Sequence, residues 1–237
     1  MTLAAAGDFL FRFRNALVPF AFTLVLVPGP RIAPDPLLPL LGGALLAAVG
    51  QGLRALTIGL KYIVRGGRQR RVYADDLVTD GIYSLTRNPM YAGNVLIVSG
   101  VAAASNSLLC LAIGVPAAAV FYSAIVAAEE RYLRAKFGPG YDEYAAAVPR
   151  WGIRMAGLAE ALASSEFHWR RLLVKEYGTT TAWVLTLCAA AWVSFLRTTG
   201  DAPDGGLRTA LVACCAAILV FWALARWLKK SRSIVAD

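Results

Sequence analysis

Residues 108–130 have the sequence LLCLAIGVPAAAVFYSAIVAAEE, and no charged side chain occurs in this stretch before Glu129. An apolar run of roughly 17 to 25 residues is long enough to cross a bilayer as a helix. The whole chain has the same character: 58% of its 237 residues are hydrophobic and the mean hydropathy is +0.56, whereas soluble domains are only about half apolar. The sequence therefore predicts a polytopic membrane protein and excludes an ordinary water-soluble domain.

Apolar blocks of this kind recur along the chain and predict an all-α, polytopic transmembrane helical bundle of about six spans. The blocks cover residues 16–27, 37–60, 90–104, 108–128, 179–196 and 207–225. The first and third are short for a span, so the first block either recruits residues 9–11 or is re-entrant. Because Pro28-Gly29-Pro30 follows it instead of a signal-peptide cleavage site, we expect an uncleaved segment. Only residues 105–107 separate the third and fourth blocks, which predicts a tight helical hairpin.

The basic residues are concentrated on one side of the predicted bundle. The chain has 24 Lys and Arg against 15 Asp and Glu, a net charge of +9, and the basic residues mostly precede the first block, follow the second and fourth blocks, or close the chain. The loops of the other side contain only Arg31, Arg197 and Arg208. Because short cytoplasmic loops retain Lys and Arg, we expect both termini and the polar segments 61–89 and 129–178 to be cytoplasmic, in a bacterial inner membrane.

The same distribution bears on the partners of the protein. Basic clusters next to spans are suited to anionic lipid headgroups, and no basic stripe with interleaved aromatic residues indicates a nucleic-acid groove. The four cysteines lie in apolar blocks and the single histidine is His168, so the sequence predicts neither a disulfide framework nor a metal site. Function is expected where the two polar segments meet.

The first polar segment ends in Arg87-Asn88-Pro89, which is typical of a helix start. Asparagine is a preferred N-cap residue, and proline suits the first helical position. The unpaired N–H groups and positive dipole of such a helix end, with Arg87 beside them, would bind a carboxylate or phosphate. The alternative is that Asn88-Pro89 only starts a helix while Arg87 contacts lipid headgroups.

Glu129 and Glu130 end the fourth block at the expected membrane boundary. Helical spacing places Glu129 on one face with Tyr122, Ile125 and Val126. It places Glu130 four residues before Arg134, with which it can pair. One glutamate would then be structural and the other available to a cationic ligand. The alternative is a solvated helix end with an ordinary ion pair.

Gly138-Pro139-Gly140 predicts a helix break, followed by a helix with Tyr141 and Tyr144 on one face. That helix either lies on the surface as an amphipathic helix or forms a wall of the site, with Arg150 in contact with an anionic group. For Tyr144 and Trp151 we favour the surface helix.

The second block contains small residues and one charge. Gly43, Ala47 and Gly50 favour close helix packing in lipid, and Gly52 follows. Arg54 in the same block costs about 3 kcal/mol or more unless it faces protein, water or an anion.

Five motifs, in this order, resemble the integral-membrane methyltransferases that include isoprenylcysteine carboxyl methyltransferase and phosphatidylethanolamine N-methyltransferase. They are Leu-Val-Thr-Asp-Gly-Ile-Tyr at 77–83, Arg-Asn-Pro-Met-Tyr-Ala-Gly at 87–93, Glu-Glu-Arg-Tyr-Leu at 129–133, Phe-Gly-Pro-Gly-Tyr-Asp-Glu-Tyr at 137–144 and Val-Pro-Arg-Trp at 148–151. The resemblance divides the chain into N-terminal membrane segments (1–44), a methyltransferase core (45–151) and an interfacial segment with two further spans (152–237).

The resemblance implies S-adenosylmethionine as methyl donor, bound by cytoplasmic loops between the Arg87 helix start and the Glu129-Glu130 helix end. The cofactor-binding candidates are Gly50, Gly52, Tyr83, Arg87, Asn88, Pro89, Tyr91, Gly93, Glu129 and Glu130; the catalytic candidates are Arg87, Glu129, Glu130 and Arg150; the substrate-binding candidates are Arg54, Tyr141, Tyr144 and Arg150. One residue departs from the family pattern: Asn88 stands where the family usually has histidine. Asparagine cannot be a cation or a proton-transfer base, which puts such a role in doubt.

Together these observations predict methyl transfer to a lipid-like acceptor, an isoprenoid or another amphiphile. A carboxylate acceptor is already a nucleophile at pH 7, whereas an ammonium must first lose a proton. Since no histidine base is evident, O-methylation of a carboxylate is slightly favoured over N-methylation of an aminophospholipid. The alternative from another class is a non-catalytic scaffold or transporter, although a transporter would place polar groups near the membrane midplane, where Arg54 is the one candidate.

Overall fold

The described part of the chain folds into helices and contains no strands. The computed structural model describes residues 2–61, 74–163 and 166–231, so parts of both polar segments, residues 62–73 and 164–165, lie outside it. The α-helices are α1 (Leu3–Ala21), α2 (Leu37–Leu60), α3 (Pro89–Ala104), α4 (Leu108–Phe137), α5 (Pro139–Ala147), α6 (Leu158–Ala163), α7 (Trp169–Thr199) and α8 (Gly205–Lys230), and two 3-10 helices cover Phe22–Leu26 and Gly81–Ser84. The predicted all-α bundle is confirmed.

Among the described residues, four helices are long and apolar enough to cross a membrane: α2, α4, α7 and α8. The apolar helix α3 is shorter, with 16 residues, because Pro89 starts it and the hairpin ends it. The first apolar block is divided between the end of α1 and the 3-10 helix Phe22–Leu26. The structure thus contains four full-length candidate spans and one shorter apolar helix, where the sequence predicted about six spans.

The two ends of the bundle differ in character. At the end that we call the site end, α2 and α4 finish while α3 and α7 begin. At the opposite end, the hairpin end, residues 105–107 join α3 to α4, as predicted. Asn106 has a φ of +50°, and its side-chain oxygen accepts the backbone N–H groups of Ile32 (3.0 Å) and Ala33 (2.9 Å). The segment before α2 therefore closes the hairpin end.

Helices α2 and α3 approach each other along a line of glycines, as the small residues predicted. A Cβ atom built on Gly43 would lie 2.3 Å from the carbonyl oxygen of Gly100, and one built on Gly50 would lie 2.6 Å from that of Gly93. In lipid, helix association depends on such van der Waals packing, because burial from water supplies no driving force there. The glycines thereby hold α2 against the start of α3 at the site end.

Helix α7 belongs to the packed part of the bundle, whereas α8 lies at its edge. α7 packs on α2 and α3, and α8 packs along α7. The buried residues of α7 include Glu176, Thr181 and Trp183. Within α8 the only buried residue is Ala225, and an apolar helix this exposed in the monomer is suited to a lipid environment.

We expect Gly100→Val to lower the thermal unfolding midpoint of the protein in detergent. A Cβ atom at Gly100 would lie 2.4 Å from the carbonyl oxygen of Gly43 and 2.6 Å from the backbone nitrogen of Ala47, and backbone atoms cannot move aside as flexible side chains can. Overpacking of this kind costs about 1 to 3 kcal/mol. Gly42→Val is the matched control, since a Cβ at Gly42 meets nothing within 4 Å. Equal midpoints for the two variants would contradict this packing.

Candidate active site

Two polar segments, residues 74–88 and 138–154, fold against each other at the site end. The backbone N–H of Arg87 donates to the carbonyl oxygen of Pro149 (3.0 Å), and that of Arg154 donates to the carbonyl oxygen of Leu85 (2.9 Å). The Tyr144 hydroxyl donates to the carbonyl oxygen of Tyr83 (2.8 Å). The regions in which the sequence placed the function are therefore in direct contact.

The helix break at Gly138 turns the second segment back toward the first. Gly138 has a φ of +55°, a left-handed conformation that glycine adopts without a steric penalty, so α4 ends at Phe137 and α5 begins at Pro139, as predicted. On α5 the rings of Tyr141 and Tyr144 pack with centroids 6.1 Å apart. Tyr141 and Tyr144 are buried while Asp142 and Glu143 are exposed, so α5 is an amphipathic helix whose tyrosine face is turned inward.

Trp151 is half-buried and packs beside Tyr122 and Ile125 of α4. It therefore contributes to the packing between the second polar segment and the bundle. The substrate contacts predicted for Tyr141 and Tyr144 stay predictions.

Asn88 occupies the predicted N-cap position of α3 but does not cap the helix. Among the described residues its side chain makes no hydrogen bond to the first turn; its Nδ2 donates instead to the carbonyl oxygen of Arg150 (3.2 Å). The reason is that the second polar segment covers Asn88, which is 4% exposed, and brings the carbonyl oxygen of Arg150 within hydrogen-bonding distance of it. Asn88 thus helps to join the two segments.

Glu130 joins the segments through two arginines. Its side chain is buried, Oε1 lies 3.2 Å from Nη1 of Arg87 and accepts Nε–H of Arg150 (3.0 Å), and Oε2 accepts Nη2–H of Arg150. The hydrogen bond to Glu130 raises the pKa of the Arg150 guanidinium above its ordinary value, so this group stays charged. The expected partner, Arg134, pairs with Asp142 at 2.6 Å, because α5 folds back beside the end of α4.

Glu129 faces the inside of the bundle and has a different environment. It is 2% exposed, and its Oε1 accepts a hydrogen bond from the Tyr91 hydroxyl (2.5 Å). The Tyr91 ring packs on Tyr122 with centroids 5.6 Å apart. Glu129 thus contacts a tyrosine hydroxyl of α3, whereas Glu130 contacts two guanidinium groups.

Two hollows adjoin these residues. An open groove of about 390 Å³ is lined by Ala127, Glu130, Arg131, Arg134, Ala135 and Arg150. A largely apolar cavity of about 250 Å³ lies between α1, the 3-10 helix Phe22–Leu26, α3 and α4, and its lining extends along α4 from Cys110 to Tyr122, roughly 18 Å at the helical rise per residue. Tyr122 also contacts Tyr91, so the aromatic pair connects the apolar cavity with Glu129.

Arg54 lies in a buried polar network that the sequence analysis did not find. Its Nε and Nη2 donate to Oε2 and Oε1 of Glu176 on α7 (2.9 and 2.5 Å), and its Nη1 donates to Oδ1 of Asn94 on α3. Gln51 donates to Glu176 (3.3 Å) and accepts the indole N–H of Trp183 (2.8 Å). The sequence did indicate such a partner, because an arginine in a span requires an acid or another polar group nearby. Glu176 was missed because the fifth predicted block begins only at residue 179. The substrate contact predicted for Arg54 stays a prediction.

The glycines proposed for the cofactor lie in two environments. Gly50 and Gly93 face each other across α2 and α3, and a Cβ built on Gly93 would also lie 2.7 Å from Cγ of Arg54. Gly52 is exposed, and a Cβ there would meet nothing within 4 Å. Gly50 and Gly93 thus have a packing role, and their contact with a cofactor stays a prediction. Within the described ranges, no group of three or more His, Cys, Asp or Glu side chains could hold a metal ion.

The structure is thus a helical membrane protein with a paired charge cluster at one end. Residues 40–140 match the model of the phospholipid methyltransferase family. The resemblance drawn from the five motifs is confirmed.

Three relatives extend the comparison. The chain is 37% identical over 124 residues to the cobalt-zinc-cadmium resistance protein CzcN of Cupriavidus metallidurans, covering 52% of each chain. It is 30% identical over 118 residues to the nickel-cobalt-cadmium resistance protein NccN of Alcaligenes xylosoxydans xylosoxydans, 49% of this chain and 53% of that protein. It is 37% identical over 84 residues to protein-S-isoprenylcysteine O-methyltransferase B of Arabidopsis thaliana, 34% of this chain and 41% of that protein. The chain spans about half the length, or less, of these relatives, and no solved structure matches it.

Proposed function

We propose that this protein is an S-adenosylmethionine-dependent methyltransferase that acts on a lipid-like acceptor at the membrane. The observation that carries the proposal is the contact of Arg87 and Arg150 with Glu130, directly beside Glu129 and Tyr91. Opposite charges are held within one small region where α3 begins and α4 ends. When bound, S-adenosylmethionine supplies a transferable methyl group on a positively charged sulfur.

The donor set suits this zwitterionic cofactor. Arg87 directs Nη1 toward Glu130, and its guanidinium, whose five N–H donors form a planar fork, would bind the carboxylate of the cofactor. Glu129 would hold the amino group, while Tyr91 fixes the orientation of its carboxylate. Glu130 would keep Arg87 and Arg150 in place. Asn88, Pro89 and Tyr83 would shape the pocket wall from the docked segment.

The apolar cavity supports an acceptor with a hydrocarbon tail. Its lining is almost entirely carbon, and its inner end at Tyr122 adjoins Tyr91 and, through it, Glu129. Burial of a hydrocarbon tail stabilises a complex by about 0.8 kcal/mol per CH₂ group when the tail leaves water, and less when it leaves lipid. The cavity would therefore mainly orient the acceptor so that its polar head lies near the charged residues, which is how alignment lowers a displacement barrier.

Within this proposal, O-methylation of a carboxylate is favoured over N-methylation of an aminophospholipid. The described polar residues near Glu129 and Glu130 are arginines, tyrosines and Asn88, and the single histidine is His168 at the N-cap of α7, so no imidazole base adjoins the cluster. Arg150 is a candidate for contact with an anionic head because it lines the open groove.

The names of two relatives give a physical context for this preference. CzcN and NccN are named for resistance to divalent metals. Esterifying a lipid carboxylate removes a negative charge from the membrane surface and weakens its attraction for divalent cations, whereas methylating an ammonium leaves its charge unchanged. We also propose that the site end is cytoplasmic, as are both termini, because the flanking segments are rich in Lys and Arg.

Calorimetry of the purified protein with S-adenosylhomocysteine tests the cofactor assignment. Glu129→Gln should weaken binding about 10- to 100-fold, since a hydrogen bond to a charged group contributes about 1.5 to 3 kcal/mol, with little change in the unfolding midpoint. Glu130→Gln should weaken binding and lower the unfolding midpoint, because Arg87 and Arg150 lose the buried carboxylate that they share. Glu143→Gln, at an exposed position of α5, is the matched control. If the folded wild-type protein gave no heat of binding, the proposed enzymatic function would be refuted and the scaffold or transporter alternative would remain.

Filling the apolar cavity tests the acceptor assignment. Ala118→Phe places a ring in the cavity and should lower the transfer of labelled methyl groups to membrane lipids about tenfold, without weakening S-adenosylhomocysteine binding. Ala119→Phe makes the same change at the next, exposed position and should have no effect. Equal rates for the two variants would contradict a tail in this cavity. Release of the label by alkali would identify an ester and separate O- from N-methylation.

A further inference from the structure

An ion pair lies inside the bundle and away from water. Arg54 is 6% exposed and Glu176 is 4% exposed, and the carboxylate accepts two of the guanidinium N–H groups. Arg54 lies six residues before the end of α2, and Glu176 lies seven residues after the start of α7. Both therefore lie about two helical turns inside the site end.

The network reaches Glu129 through a chain of side chains. Arg54 donates to Asn94, which lies three residues after Tyr91 and therefore on the same face of α3. The Tyr122 ring packs against Tyr91, whose hydroxyl donates to Glu129. These contacts connect α7 and α2 with the start of α3, and the start of α3 with the end of α4.

A contact that only holds two helices together does not require a buried arginine and glutamate. Well-packed apolar side chains of similar volume stabilise a buried interface as well as an ion pair does, or better, because both charges must be taken out of water. What a forked guanidinium adds is a fixed direction, since its planar donors bind a carboxylate and an amide at set angles. The geometry of Arg54 thus fixes Asn94 more tightly than apolar packing would.

We propose that Glu176, Arg54 and Asn94 are positioning residues for the Tyr91–Glu129 pair, acting from inside the membrane. Glu176 holds Arg54, and Arg54 binds Asn94 and so fixes the first two turns of α3, from which Tyr91 reaches Glu129. Helix α7 lies outside residues 40–140 that match the family. By this inference α7 contributes to the geometry of the site in addition to crossing the membrane. The inference rests on the proposed function.

The test compares S-adenosylhomocysteine affinity with stability in three variants. Arg54→Met combined with Glu176→Leu removes both charges, so no buried charge is left unpaired. Asn94→Leu keeps the ion pair and removes the hydrogen bond from Arg54 to α3. Arg197→Met is the matched control, since Arg197 also ties α7 to the bundle, through the carbonyl oxygens of Val25 and Val27, but at the hairpin end.

The expected result is an affinity about tenfold weaker or more in the first two variants, because small displacements of positioned groups have effects of this size, and wild-type affinity for Arg197→Met. Wild-type affinity in folded Asn94→Leu would overturn the inference. If the double variant does not fold, the affinity of Asn94→Leu alone tests whether the network positions the Tyr91–Glu129 pair. An equal loss in Arg197→Met would also overturn it, since any loosened tie would then suffice. If wild-type protein itself gave no binding, the proposed function would fall and this inference with it.

Discussion

The sharing of Glu130 between Arg87 and Arg150 is the interaction on which the site depends. Arg87 precedes α3, Glu130 lies in the last turns of α4, and Arg150 follows α5, so a single buried carboxylate connects three parts of the chain. Removing one partner of such a group leaves an uncompensated charge, which costs about 3 to 5 kcal/mol when it is buried. The same arrangement places Glu129 one residue earlier on a different face, where its hydrogen bond comes from a neutral tyrosine. The two adjacent glutamates therefore lie in different environments, Glu130 between two guanidinium groups and Glu129 against a tyrosine hydroxyl.

The membrane explains why this arrangement can be rigid. Close glycine contacts hold α2 on α3, and the Arg54–Glu176 pair joins α7 to both. In hydrocarbon a polar group has no water to exchange with, so a satisfied network stays in one arrangement. The apolar cavity beside Tyr122 opens within this frame, away from the charged groove. An amphiphile with its head at the charges and its tail among apolar side chains matches both hollows.

Much of the fold could be predicted from the sequence, because apolar length and helix-start and helix-break residues are local signals. The limits of α2 at residues 37 and 60, the start of α3 at Pro89 and the break at Gly138 were predicted correctly. Pairing between distant charges was not predictable in the same way. Helical spacing offered Arg134 to Glu130, but the turn at Gly138 gave Arg134 the nearer Asp142 and brought Arg150 to Glu130. Asn88 looked like a helix cap because that role is local, whereas its real partner lies 62 residues away. Glu176 was missed because its importance depends on Arg54, in a different helix.

The central claim is that the two segments docked at the site end hold one zwitterionic ligand between them, and amide hydrogen exchange in the presence of S-adenosylhomocysteine tests it most directly. The account predicts slower exchange in residues 80–93 and 126–154, which contain the two segments and the helix ends that they cover. It predicts no change at the hairpin end, in residues 28–36 and 198–206. Protection confined to the hairpin end, or protection of only one of the two segments, would contradict it.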